Sequence, residues 1–280
     1  MQGAKPARQV SDGGGGAAPA ARAAAFFDLD KTLIEGSSAL HFARAAYRNG
    51  LISRRQMARD VLANIRFRLE GSTDESTDVL RERIAEAITG QRQVDLMRMG
   101  QQVLAGVLPA VYPQVLQEAH DHQDAGRLAY VVTAASHELA ETLADVLVLD
   151  GGIGNRSEVR DGVYTGRPEG HFTYREGKAA AIRELAEQQG IDLAASYAYS
   201  DSESDLPMLR AVGNPVAVNP DRALEEVARA EGWRIMRFDK LGRRLRIAGA
   251  AAGVALLGGG GGYLAARLRP RRRFSLLGWG

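Results

Sequence analysis

The fold class that the sequence predicts is α/β, and three observations predict it. Residues 23–27 form a short apolar run of the kind that a buried strand has. Residues 38–106 have helical spacing almost throughout, and from Arg127 onward strand-like and helix-like segments alternate. Because such alternation indicates a mostly parallel sheet, we expect a Rossmann-like sheet core with an all-helical cap inserted after its first strand.

The cap is predicted over residues 38–106. Its apolar side chains recur three and four positions apart, as on one face of a helix. Breaks at 49–50, 71–72 and 89–90 each contain a glycine, and they divide the segment into about four helices, the size of a small bundle.

The core is predicted over residues 23–37 and 107–240. Its helices are expected at 111–124, 136–146, 176–189 and 221–230. Strands after the first are expected at 128–133, 147–149, 196–200, 215–218 and 233–238, with a β-hairpin over 155–167 that turns at Asp161-Gly162.

Charge and cysteine content exclude several classes of function. Residues 1–229 carry 25 Lys and Arg against 32 Asp and Glu, whereas residues 230–280 carry 11 against 2. The acidic body argues against nucleic acid as a partner, since the basic excess is confined to one segment. The chain has no cysteine, which excludes disulfides, cysteine-based zinc sites and thiol nucleophiles.

Two aspartates follow the first predicted strand in the stretch FFDLDKTLI, which runs from Phe26 to Ile34. Because side chains alternate along a strand, Asp28 and Asp30 start on the same side, at the edge where open α/β sheets bind ligands. Two carboxylates this close resist ionisation unless a cation neutralises them. The pair alone is a weak signal, because such a motif arises by chance in roughly one chain of this size in ten.

Further polar signals lie at other predicted strand ends and helix starts. Thr133 precedes helix 136–146, so its hydroxyl and the neighbouring N–H groups could hold an anionic oxygen. Lys178 lies in the first turn of a helix, where the helix dipole disfavours a cation and a function would explain its presence. Asp201 and Asp205 follow a later strand, and their spacing of four puts both on one face if the segment is helical.

Together these residues predict phosphoryl chemistry with Mg²⁺. Asp28, Asp30 and Asp201 supply oxygen ligands of the kind that Mg²⁺ takes along with water and substrate phosphate. Thr133 and Lys178 would hold the phosphate. Asp28 would attack phosphorus to form an aspartyl-phosphate, while Asp30 would protonate the leaving alkoxide and then deprotonate the attacking water.

These motifs resemble, in their order, the four motifs of the haloacid dehalogenase superfamily of phosphatases. They are Asp28-Leu-Asp30-Lys-Thr32, Thr133, Lys178 and Asp201-Ser-Glu-Ser-Asp205. The long helical insert between the first two motifs is similar to the cap of subfamily IB, to which phosphoserine phosphatase belongs. The resemblance covers residues 24–238 and implies hydrolysis of a small phosphorylated metabolite.

The resemblance also implies a role for each motif residue. Asp28 is the implied nucleophile and Asp30 the implied acid/base. Thr133 and Lys178 are the implied phosphate ligands. Mg²⁺ is implied at Asp28, the carbonyl of Asp30 and Asp201, with Asp205 supporting Lys178 or the metal shell.

Two departures from the subfamily pattern concern the substrate. Phosphoserine phosphatases usually carry a glutamate nine residues after the nucleophile, where this chain has Ser37, and Glu35 is displaced by two positions. They usually follow the hydroxyl of the second motif with two glycines, where this chain has Ala134-Ala135. Both differences argue against phosphoserine as the substrate and leave phosphomonoester hydrolysis intact.

Other functions remain open alongside hydrolysis. The same aspartyl-phosphate could pass its phosphoryl group to another substrate hydroxyl, as in a phosphotransferase or mutase. A receiver-like phospho-switch also gathers acids, a Thr and a Lys, but its acceptor Asp lies on a later strand and no helical insert intervenes.

We interpret His120 and His122 as parts of a solvated helix end and not as a metal site.

The two ends of the chain differ in composition from the body. Residues 1–22 are rich in Gly, Ala and Pro and lack the apolar core of a secretory signal, so we expect a disordered leader. The tail at 241–280 is basic and Gly/Ala-rich, and its uncharged residues 247–266 suit one membrane span. That span would tether a cytoplasmic catalytic domain to the inner face of the cell membrane. Five consecutive glycines favour a flexible linker instead. The sequence carries no signal about oligomeric state.

Overall fold

The sheet is built around its first strand, β1 (Ala24–Asp28). The remaining strands are β2 (Leu128–Ser136), β3 (Gly151–Arg160), β4 (Val163–Glu169), β5 (Tyr197–Ser200), β6 (Asn214–Val218) and β7 (Arg234–Met236). The computed structural model describes residues 22–50, 53, 81–82 and 85–238, and within these ranges seven strands form one sheet in the order β4-β3-β2-β1-β5-β6-β7. β1 pairs in parallel with β2 and β5, β2 pairs in parallel with β3, β5 pairs in parallel with β6, and the hairpin of β3 and β4 is antiparallel. The predicted mostly parallel α/β sheet is confirmed.

Helices connect most of these strands. They are α1 (Ser38–Arg48), α2 (Gln93–Val107), α3 (Pro113–Asp124), α4 (His137–Leu147), α5 (Glu176–Gln189), α6 (Leu206–Leu209) and α7 (Arg222–Ala230). Two of them begin at residues suited to the N-cap, since Ser136 accepts the N–H of Leu139 at 3.4 Å and Asp221 accepts that of Leu224 at 2.8 Å. Sequence periodicity predicted α5 with the same bounds.

β1 is buried on both faces, which explains its continuous apolar run. Phe26 stacks on Tyr130 with ring centroids 5.8 Å apart, and on the opposite face Phe27 stacks on Tyr199 at 4.4 Å. Full burial of each phenylalanine contributes roughly 1.5–3 kcal/mol. Because β2 and β5 lie on opposite sides of β1, the strand order reverses there, and Asp28 ends β1 at the crevice where such sheets bind ligands.

Of the predicted cap, the structure describes mainly the beginning and the end. α1 ends at Asn49-Gly50, as predicted, and α2 follows the predicted break at 89–90. Residues 81–82 and 85–88 are also helical. The predicted break at 71–72 lies outside the described residues, so the extent of the cap and its role as a separate domain stay predictions.

Several predicted boundaries are wrong; the hairpin predicted over 155–167, for example, begins at Gly151 and ends at Glu169. Residues 147–149 form no strand, because Leu147 completes α4 and Val148 follows it in the left-handed conformation (φ 60°). β2 continues to Ser136 and does not end at Thr133. Arg22, assigned to the leader, forms a bridge with Ile191.

The rest of the predicted leader and the tail from residue 239 onward, including the proposed anchor at 247–266, lie outside the described residues. In the part of the chain that is described, no helix has the length and apolar character that a bilayer crossing requires.

Candidate active site

A buried lysine joins two of the predicted site carboxylates. Lys178 Nζ donates to Asp28 Oδ1 at 2.5 Å and to Asp205 Oδ2 at 2.8 Å. The side chains of Lys178 and Asp28 are 4% and 9% exposed. Residues separated by 150 positions in sequence therefore meet at the carboxyl end of β1, as the convergence of parallel strand ends predicts.

Lys178 reaches this position because α5 begins close to the preceding loop. Gly177 allows that approach, since a Cβ there would lie 1.7 Å from the carbonyl oxygen of Phe172. Arg175, the residue before the helix, has φ 50°. The first turn of α5 is thus packed against the loop, with Lys178 directed into the sheet edge.

Asp205 has a second partner that the sequence did not indicate. Ser200 Oγ, at the end of β5, donates to Asp205 Oδ2 at 2.7 Å. The shared face was predicted only if the segment is helical, and this condition is not met, because Asp205 lies in a 3-10 segment (Glu203–Asp205) that begins after Asp201. Asp205 nevertheless supports Lys178 directly, as the resemblance implied.

Asp201 lies beside the loop that follows β1. Lys31 Nζ is 3.6 Å from Asp201 Oδ2, and Thr32 Oγ1 is 3.5 Å from Asp201 Oδ1. The backbone allows this because Lys31 adopts φ 61° and donates its N–H to the carbonyl of Gly36. The first and last motifs of the sequence are therefore in contact.

Burial disfavours charge on these carboxylates. Burial raises the pKa of Asp28 well above its usual range, and Lys178 only partly opposes this. Burial, aided by nearby Asp205, raises the pKa of Asp201 to about 6. Burial alone would lower the pKa of Lys178, but its ion pairs with Asp205 and Asp28 outweigh burial and raise it. The lysine is a fixed cation among acids that lack sufficient countercharge.

Asp30 is held by the start of α1. Ser37 Oγ donates to Asp30 Oδ2 at 2.8 Å, and the N–H of Ser38 donates to Asp30 Oδ1 at 2.8 Å. Ser37 is the N-cap residue of α1, yet its hydroxyl makes no capping bond to its own helix. The carboxylate of Asp30 therefore satisfies a free N–H at the beginning of the predicted cap.

Thr133 lies one residue beyond Val132, the residue of β2 that pairs with Asp28. Its side chain is buried, and its Oγ1 accepts the N–H of Ala135 at 3.1 Å. The α4 N-cap is Ser136, three residues later, so Thr133 lies within β2 and not at the helix start. The structure places Thr133 beside the end of β1, as predicted, through strand pairing.

The oxygen groups at this edge fit a divalent cation. Asp205 Oδ1 is buried and has no hydrogen-bond partner in the described part of the chain, and the carboxylates of Asp28, Asp201 and Asp205 exceed the charge of buried Lys178. Across the described ranges, no group of three or more His, Cys, Asp or Glu side chains is arranged to hold a metal. The prediction from the residues that three carboxylates, Asp28, Asp30 and Asp201, hold the metal does not agree with this finding, because the Asp30 carboxylate is bonded to the start of α1. The set that the resemblance implies has only two side chains, Asp28 and Asp201, with the carbonyl of Asp30, and it does not conflict with the finding.

The histidine pair before Arg127 has a structural role. His122 is buried, with Nε2 2.8 Å from Tyr199 Oη, and its Nδ1 accepts from Arg127 Nε at 2.6 Å. His120 Nε2 is 3.0 Å from the carbonyl oxygen of Leu147. Both ring nitrogens of His122 have protein partners, and the predicted solvated helix end is wrong for this residue because it is buried.

Sequence reasoning missed the residues that hold the predicted ones. These residues are Lys31, Ser37, Ser38 and Ser200. Lys31 stands inside the first motif and Ser200 directly precedes the last, so their adjacency was a signal. The Ser37-Ser38 pair before a helical pattern was a second signal, since serine favours helix starts.

The comparisons with known proteins agree with this geometry. The sequence model of the family described as haloacid dehalogenase-like hydrolase matches residues 25–210. The chain is 38% identical over 254 residues to phosphoserine phosphatase SerB1 of Mycobacterium tuberculosis (strain ATCC 25618 / H37Rv), covering 90% of this chain and 81% of that relative.

Solved structures also resemble the chain. A protein of unknown function from Bordetella pertussis Tohama I has a TM-score of 0.67 and 31% identity, covering 78% of this chain and 99% of its own. A phospho-aspartyl intermediate analogue of phosphoserine phosphatase has a TM-score of 0.55 and 21% identity, covering 78% of this chain and 94% of its own. The second likeness concerns the fold alone.

Proposed function

Since the chain belongs to the haloacid dehalogenase-like hydrolase family, we propose that it is a Mg²⁺-dependent phosphomonoester hydrolase that acts through an aspartyl-phosphate on a small phosphorylated metabolite. One observation carries the proposal. Asp28 ends the central strand in a buried position, where Lys178 bridges it to Asp205. A buried carboxylate held by a fixed cation suits a nucleophile that must approach an anionic phosphoryl group.

In the first half of the reaction Asp28 attacks phosphorus. A bond forms between a carboxylate oxygen of Asp28 and phosphorus as the ester bond to the leaving oxygen breaks, and Asp30 donates a proton to that oxygen. Lys178 neutralises charge on the phosphoryl oxygens. Thr133, beside Asp28 on the neighbouring strand, donates its hydroxyl to one of them.

In the second half Asp30 acts as a base. Its carboxylate takes a proton from water, the water oxygen attacks phosphorus, and the bond to Asp28 breaks to release phosphate and restore the enzyme. Ser37 and the N–H of Ser38 hold both oxygens of Asp30 in the described structure, which fixes the carboxylate next to the start of the cap. The group that moves the proton is thereby tied to the proposed cap.

The residues that would hold Mg²⁺ are Asp28, Asp201 and the carbonyl of Asp30, with Asp205 in support. A bound Mg²⁺ supplies positive charge that offsets the excess of carboxylates and lets an anionic nucleophile meet an anionic phosphoryl group. We assign residues 38–106, which the sequence predicts to be helical, as a cap that closes over the substrate and excludes bulk water.

The substrate class is proposed no more narrowly than small phosphate monoesters. The relative SerB1 is named a phosphoserine phosphatase. In this chain, however, Ser37 stands nine residues after Asp28, and its hydroxyl bonds to Asp30. A serine at this position has no negative charge with which to bind the ammonium group of phosphoserine. Phosphoserine is therefore one candidate substrate among several.

A panel of phosphate monoesters, assayed with Mg²⁺ and again with EDTA, tests the proposal. We expect Mg²⁺-dependent phosphate release that Asp28→Asn abolishes, because the amide is a poor nucleophile. Asp161→Asn is the matched control, since Asp161 lies at the exposed hairpin turn and should keep full activity. Turnover by Asp28→Asn within tenfold of wild type would remove Asp28 as nucleophile.

A further inference from the structure

The pairing of β2 with β3 is interrupted where β2 carries Thr133. Val132 pairs with Ile153, and the next pair is Ser136 with Asn155, so four steps along β2 match two along β3. The residues between them, 133–135, therefore bulge out of the ladder. The proposed phosphate-binding hydroxyl lies on a bulge whose backbone groups cannot all pair with the neighbouring strand.

Asn155 supplies a hydrogen-bond partner to one backbone group of the bulge and to one backbone group of another loop. Its Nδ2 donates to the carbonyl of Ala134, in the bulge, at 2.6 Å. Its Oδ1 accepts the N–H of Thr173, in the loop before α5, at 2.6 Å. One side-chain amide, which carries both a donor and an acceptor, thus joins two backbone segments.

Both joined segments lead to proposed phosphate ligands. Ala134 directly follows Thr133, and Thr173 lies five residues before Lys178. The loop from Thr173 to Lys178 is rigid for two reasons. Thr173 is only 1% exposed, and the turns that follow it are hydrogen-bonded, the last of them through the N–H of Lys178, which donates to the carbonyl of Arg175 at 3.1 Å. A displacement at Asn155 would therefore reach both ligands.

The residue before Asn155 permits the close approach. A Cβ on Gly154 would lie 2.8 Å from the carbonyl oxygens of Ala135 and Ser136, which real Cβ contacts do not tolerate. Glycine lets β3 lie against the bulge, so that the short Asn155 side chain reaches the carbonyl of Ala134.

We infer that Asn155 is a positioning residue for phosphoryl transfer, which sets the separation between the Thr133 bulge and the loop leading to Lys178. The inference rests on the proposed function. Asn155 acts through the two backbone segments and needs no contact with substrate. Because it acts on the phosphate side and not on Asp30, its loss should affect all esters equally, whatever their leaving group.

The test compares Asn155→Ala with Asn214→Ala. Asn214 is a matched control, since its Nδ2 also donates to a backbone carbonyl, that of Ser196 at 3.2 Å, but it pairs with Tyr197 at the opposite end of the strands. We expect Asn155→Ala to lose roughly 10- to 100-fold in kcat/KM, the range that small misplacement of catalytic groups costs. The loss should be the same for an aryl and an alkyl phosphate, and inhibition by inorganic phosphate should weaken in parallel. Asn214→Ala should keep wild-type values.

A second variant guards against failure to fold. Asn155→Asp keeps the acceptor for Thr173 but has no donor for Ala134, so we expect it to show the same uniform loss. Full activity in either folded variant, a loss that Asn214→Ala shares, or a loss confined to one ester would overturn the inference. A wild-type enzyme that hydrolyses none of the esters would instead contradict the proposed function.

Discussion

Acid should destabilise the protein through His122, which is buried beneath the central strand. Its Nδ1 accepts from Arg127 Nε at 2.6 Å, so in the neutral ring the proton lies on Nε2, which donates to Tyr199 Oη at 2.8 Å. Tyr199 Oη in turn donates to Glu118 Oε2 at 3.2 Å. Protonation of Nδ1 would place a second proton against the Arg127 guanidinium.

The size of the effect follows from the pKa of His122. Burial, followed by the charge of Arg127, lowers this pKa from 6.5 to about 4. Because the folded-state pKa is the lower one, the stability that neutral His122 contributes is complete above pH 6.5 and is lost as the pH falls toward 4. At about pH 5 His122 is protonated in the unfolded chain and neutral in the folded chain. This difference lowers the free energy of unfolding by about 2 kcal/mol.

Denaturant unfolding of wild type and His122→Gln at about pH 7.5 and about pH 5 measures this cost. The amide of glutamine keeps a polar group near Tyr199 but does not titrate. We expect the free energy of unfolding of wild type to fall by about 2 kcal/mol more than that of the variant between the two pH values. An equal fall in both proteins would refute the assignment of His122 as a buried neutral histidine.

Three further substitutions test separate parts of the account. Asp30→Asn should slow hydrolysis of alkyl phosphates more than that of aryl phosphates, because an alkoxide needs the donated proton, and equal losses in kcat/KM would contradict the acid role. Lys178→Met should abolish turnover. In Mg²⁺-free buffer it should also lower the free energy of unfolding by about 3 kcal/mol, since Asp28 and Asp205 lose their buried partner. Denaturant titration measures this loss, and a change below about 1 kcal/mol would contradict the role of Lys178 as the buried partner of both carboxylates. Val148→Gly should raise the melting temperature, because valine at φ 60° costs about 1–2 kcal/mol and the residue is 73% exposed, so that little packing is lost. An unchanged or lower melting temperature would argue against strain at this position.

The sheet and the meeting of its strand ends were predictable because both follow from local patterns. Short apolar runs separated by helical periodicity define a parallel sheet, and the carboxyl ends of parallel strands share one edge. Asp28, Lys178 and Asp205 could therefore be placed together without knowledge of any contact between them. The hairpin turn at Asp161-Gly162 was predictable from local sequence for the same reason, since both residues adopt positive φ there.

Features that depend on tertiary contacts were not predictable in this way. The apolar residues at 147–149 are equally consistent with a strand and with the end of a helix, and only the packing of α4 decides between them. The bulge at Thr133 changes the strand register without altering the hydrophobic pattern. The bonds from Asn155 to Ala134 and Thr173 join residues 21 and 18 positions apart, and such loop contacts leave no periodic signal.

Detection of a phosphoryl group on Asp28 tests the central claim most directly. Enzyme mixed with an excess of a good substrate and Mg²⁺ would be quenched in acid within one turnover, and the acyl phosphate would be reduced with borohydride before peptide mapping by mass spectrometry. We predict that the reduced product maps to Asp28 and is absent from Asp28→Asn. Modification of a different residue, or complete turnover with no trapped adduct under conditions that trap one in a known aspartyl-phosphate enzyme, would contradict the account.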